Sequence, residues 1–117
     1  MDFFYASDEA NAKALFEALI RFWDGDVPDV QNHSELMKPG MIIQFGRPPN
    51  RIDLLNRIDG VEFKEAFRDS TVVGLDAGSK EIPIRYLGLE HLVRNKAASG
   101  RPKDLEDLRY LQKRLEG

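Results

Sequence analysis

The chain has 117 residues, 42% apolar, 32% charged and 9% aromatic, the size and balance of a single domain spanning 1–117 that can bury a core of its own. It contains no cysteine, which excludes a disulfide framework, a thiolate metal site and a cysteine nucleophile together. A net charge of −3 argues against strong nucleic-acid binding by the molecule as a whole, and no apolar run approaches the roughly 18 residues of a membrane span. With no signal-peptide pattern at the N-terminus, no membrane association and a cytoplasmic location are expected.

Asp2-Phe3-Phe4-Tyr5-Ala6 is short and aromatic and reads as a strand. Ser7 is placed to cap a helix whose Leu15, Phe16, Leu19, Ile20 and Trp23 recur at helical spacing, predicting one apolar stripe toward the core; Asp24-Gly25-Asp26 ends it. Residues 27–40, broken by Pro28 and Pro39, read as a connector with a short helical turn at 34–37. Residues 41–45 and 51–55 read as strands around the turn Gly46-Arg47-Pro48-Pro49-Asn50. A short helix over 61–68 is expected to turn Val61, Ala66 and Phe67 inward. Residues 71–75 and 82–86 suggest a hairpin through 76–80, with Pro83 on an edge. A helix carrying Leu89, Leu92 and Val93 breaks at Ser99-Gly100. A second helix then opens on Pro102 and directs Leu105, Leu108, Leu111 and Leu115 inward. The expected architecture is α+β, a small mixed sheet packed by helices.

Three features call for more than packing. Asp53 sits between Ile52 and Leu54, where an ionised carboxylate needs water, a basic partner or a metal; the plain alternative is a solvent-facing position on a half-covered sheet. Lys96 shares the helical face of Leu89, Leu92 and Val93, so its amine either snorkels to water or meets an anion. Between Arg94 and Arg114 lie seven of the seventeen basic residues, and Arg101 and Lys103 flank a helix start whose free N–H groups favour anions. Asp104, Glu106 and Asp107 in that first turn complement the helix dipole. His33 and His91 have no metal-ligand companion at useful spacing. Phe16, Phe22 and Trp23 read as core.

The segments Asp2-Phe3-Phe4, Arg51-Ile52-Asp53-Leu54-Leu55 and Arg94-Asn95-Lys96-Ala97-Ala98-Ser99-Gly100-Arg101-Pro102-Lys103-Asp104-Leu105-Glu106-Asp107 together resemble the small prokaryotic nucleotidyltransferase-like proteins of the DNA polymerase β superfamily. The similarity spans nearly the whole chain, and the C-terminal tract is its most specific part. In the family pattern a Gly-Ser turn holds phosphate, two acids one residue apart end the next strand, and a third acid comes from a neighbouring strand. Three carboxylates then bind two divalent metals for in-line displacement on a nucleoside triphosphate. The resemblance gives Asp2 the place of the second acid and Asp53 that of the third, both as catalytic metal ligands for Mg²⁺ or Mn²⁺. Lys96, Arg94, Arg101 and Lys103 take the phosphate-binding side. The first acid and the Gly-Ser turn would precede Met1, so the resemblance implies a nucleotidyltransferase-like domain lacking its first helix and strand region, with weak or no transferase activity. An uncovered strand edge implies a homodimer or another protein partner. The alternative is a partner-binding module, toxin–antitoxin-like or a homodimeric pseudoenzyme.

Overall fold

The first half of the chain forms β1 (Asp2–Phe4), α1 (Glu9–Phe22), a 3₁₀ turn (His33–Met37), β2 (Ile42–Phe45) and β3 (Ile52–Leu55). The second half forms α2 (Phe63–Arg68), β4 (Thr71–Ala77), β5 (Lys80–Tyr86), α3 (Leu89–Ser99) and α4 (Pro102–Glu116). This is a computed structural model; it describes residues 1–116, without the side chains at positions 77, 115 and 116, so the inward placement expected for Leu115 lies outside the described residues. The fold is α+β, as expected. The chain divides into two compact units, Met1–Arg57 and Ile58–Gly117.

In the first unit the strands lie in the order β1-β3-β2. β1 runs parallel to β3, with Asp2 beside Asp53, Phe3 beside Leu54 and Phe4 beside Leu55, while β2 is antiparallel to β3. Alternation along the strands puts Ile43, Phe45 and Leu54 on the face that is buried. α1 covers that core with Ala12 and Leu19, and Leu15, Phe16 and Trp23 pack against it in part. Ile20, expected on the same stripe, is 36% exposed, because it lies one residue, about 100° of helical turn, beyond Leu19. The helix cap is Asp8 and not Ser7: the Asp8 carboxylate accepts the Asn11 N–H at 2.9 Å, and Asn11 Nδ2 donates back to Ala6 O at 2.7 Å.

The connector carries more of the core than its composition suggests. Val27, Val30 and Leu36 are buried, Leu36 completely. The Tyr5 hydroxyl donates to Leu36 O at 2.9 Å, and Asn56 Nδ2 donates to Lys38 O at 2.7 Å, tying the 3₁₀ turn to the sheet. Burial pushes the Tyr5 phenol above its ordinary value. Replacing Leu36 by Ala is therefore expected to cost about 2–5 kcal/mol in urea denaturation. Ile42→Thr, at a side chain 57% exposed on the outer face of the same sheet, should stay within about 0.5 kcal/mol.

In the second unit β4 and β5 pair antiparallel from Thr71↔Tyr86 to Ala77↔Lys80. The strands are longer than expected and the turn shrinks to Gly78-Ser79. Gly78 has φ +72°, the left-handed conformation that a tight hairpin turn requires. Val73, Leu75, Ile82 and Ile84 share one face of the hairpin, and Val73, Leu75 and Ile82 are about half exposed.

α2 buries Ala66 but turns Phe67 outward, 48% exposed, against the inward position expected for it. The Phe67 ring instead stacks on Phe63 at 5.8 Å, and the Arg85 guanidinium lies 4.3 Å from its centroid. α3 ends at Gly100 in the left-handed conformation, φ +65°, and α4 opens on Pro102, where a missing N–H is harmless. The two helices pack on each other. Leu108 and Leu111 are half-buried, but Leu105, expected inward, is 44% exposed, and the buried position in that first turn belongs to Asp104 at 3% exposure. At Gly60, φ +75°, the chain runs close against α3: a Cβ there would lie 2.8 Å from the Ala98 Cβ.

Candidate functional site

The sequence-derived acids lie in the first unit and the basic residues in the second, and each group has its own geometry. Asp2 and Asp53 are register partners on adjacent parallel strands, so their side chains leave the sheet on the same side. Asp2 is exposed, whereas Asp53 is buried, 6% exposed, which sets aside the solvent-facing alternative. The cation beside Asp53 comes from the residue just before β3: Arg51, two positions away, brings Nε within 2.9 Å of Oδ1 and donates from Nη2 to Oδ2 at 3.1 Å. The Nε approach is not aligned as a hydrogen bond, and Oδ1 is buried without one.

Two carboxylates on one side of a sheet are the beginning of a divalent-cation site. Mg²⁺ asks for six oxygens in near-ideal octahedral geometry. Among the described residues no group of three or more His, Asp or Glu side chains gathers in this way, and Arg51 already holds Asp53. The residues present therefore fit a two-metal centre poorly. Removing Arg51 should expose what it balances. Arg51→Ala is expected to cost about 2 kcal/mol in denaturant unfolding, through an uncompensated buried carboxylate, with part of that loss recovered in Arg51→Ala/Asp53→Asn. Equal losses in the single and double variants would contradict this assignment.

In the second unit Lys96 meets an anion, but one supplied by its own chain. Its Nζ donates to Asp104 Oδ1 at 3.1 Å and lies 3.2 Å from Asp107 Oδ2. Asp104 Oδ2 accepts from the Ser99 hydroxyl and from Arg101 Nε, both at 2.7 Å. The short α3–α4 connection makes this possible by folding the first turn of α4 back against the last turn of α3. Arg94 Nη1 lies 3.5 Å from Glu65 Oε2. Lys103 is exposed and has no ion pair among the described residues. Of the four basic residues assigned to a phosphate, three thus face carboxylates of the chain itself.

The hydrogen bonds from Ser99, Arg101 and Lys96, in that order, hold the Asp104 carboxyl well below the usual carboxylate range. Its bond to Asp104 holds the Lys96 amine above its ordinary value, against the opposing effect of burial. A depressed carboxyl stabilises the fold above its unfolded value and loses that contribution as pH falls through the folded one; a raised amine stabilises below its unfolded value and loses it as pH rises through the folded one. The cluster accordingly contributes fully from roughly pH 5 to pH 10 and fails in acid. Asp104→Asn is expected to lower the thermal midpoint at pH 7 by more than about 4 °C and to flatten its decline below pH 5. Parallel pH profiles for the variant and the wild type would contradict this.

A second polar pair escaped the sequence reading. His91 is 5% exposed, and its Nε2 lies 3.0 Å from Asp69 Oδ2. A carboxylate only accepts, so Nε2 carries the proton. Nδ1 is buried without a partner. Arg68 also donates to Asp69 through Nε and Nη2, each at 3.1 Å, and the hydrogen bonds from Arg68 and then His91 lower the Asp69 carboxyl to about 2. The separation of 22 positions between Asp69 and His91 hides this contact from any local spacing rule.

No protein-family model, curated protein or solved structure matches this chain. Among the described residues no helix is long and apolar enough to cross a membrane.

Proposed function

We propose that the chain is a nucleotidyltransferase-fold protein with weak or no transferase activity. The observation that carries the reading is Asp2 beside Asp53 on parallel strands with Arg51 closed on Asp53. In nucleotidyl transfer, carboxylates so placed hold the divalent ions that neutralise the triphosphate, activate the attacking hydroxyl and stabilise the leaving pyrophosphate. Here Asp2 and Asp53 are the residues that would hold Mg²⁺ or Mn²⁺, and a guanidinium competes with the ion for Asp53. The charges of Lys96 and Arg101 are directed at Asp104 and Arg94 faces Glu65, so three of the four basic residues are engaged within their own unit, which accords with weak or absent nucleotide binding.

A thermal-shift titration with Mg²⁺ or Mn²⁺ and each nucleoside triphosphate tests this reading. A ligand at 100 times its Kd would stabilise the native state by about 2.7 kcal/mol; the wild type is expected to fall well short of that at millimolar nucleotide, and Arg51→Ala to gain a metal-dependent shift that Arg51→Ala/Asp53→Asn lacks. A full-sized shift in the wild type, lost in Asp53→Asn, would overturn the weak-activity reading in favour of a working site. No shift in any variant would overturn the assignment of Asp2 and Asp53 as metal ligands.

The second reading is a partner-binding module, toxin–antitoxin-like or a homodimeric pseudoenzyme. It is favoured by the half-exposed Val73, Leu75 and Ile82 on one face of the β4–β5 hairpin, since apolar side chains gathered on one surface mark protein contacts. A dimer in light scattering at micromolar concentration that dissociates in Leu75→Asp would support it for a second copy of the chain, and a monomer would count against the homodimer.

A further inference from the structure

We draw no further inference here: the strongest candidate, the apolar face of the β4–β5 hairpin around Val73, Leu75 and Ile82, is the surface already taken up in the second reading, and nothing in the structure shows what covers it.

Discussion

The parallel register of β1 on β3 is the constraint from which the first unit and its carboxylate pair follow. Asp53 N–H donates to Met1 O at 2.9 Å and Tyr5 N–H to Leu55 O at 2.8 Å, so β1 is held on both sides of the three-residue strand. A slip of one residue would carry Phe3 to the Asp53 side of the sheet and send Asp2 to the core side. The same register places Tyr5 just past the strand, where its ring joins the core and its hydroxyl reaches Leu36 O. Apolar packing and the spacing of two acids are thus fixed together.

The two units are stabilised by different means. The first gathers nine buried apolar residues into one cluster, and its strength comes mainly from surface removed from water. In the second, the buried residues among those described are Val61, Ala66, His91 and Asp104, two of them polar. Hydrogen-bonded charge takes over there, with Asp69 joined to His91 and Arg68, and Asp104 joined to Ser99, Arg101 and Lys96. Such pairs confer geometry more reliably than net stability, because removing charges from water offsets much of their attraction. The direct cost of that economy is sensitivity to acid, which an apolar core would not share.

The elements that local chemistry dictates were legible in the residues. The hairpin, the α3–α4 break at Gly100, the Pro102 start and the amphipathic α1 each follow from turn residues or helical spacing. Phe67 and Leu105 were not legible, because their placement depends on contacts outside their own apolar stripe: Phe63 and, 18 residues on, Arg85 for the one, and the demand of buried Asp104 for partners on α3 for the other. Asp53 was visible as an acid in an apolar strand in need of a cation, and Arg51 two residues earlier was the signal for its partner. The basic tract was visible as charge, but its neutralisation was not: Asp104 does lie in the first turn of α4, and only the return of α4 onto α3 reveals that Asp104 and Asp107 receive Lys96.

The close approach of Gly60 to Ala98 makes those two positions a single volume shared between a turn and a helix. Residue 60 cannot enlarge alone, since a methyl group there would meet the one at 98 at 2.8 Å and the helix backbone at Arg94 O lies 3.2 Å away. Shrinking residue 98 to glycine would open room for a side chain at 60 only on the Ala98 side and would leave the left-handed backbone unrelieved. The interdependence is therefore one-sided: residue 98 is exposed and open toward solvent, whereas residue 60 is held by size and chirality together.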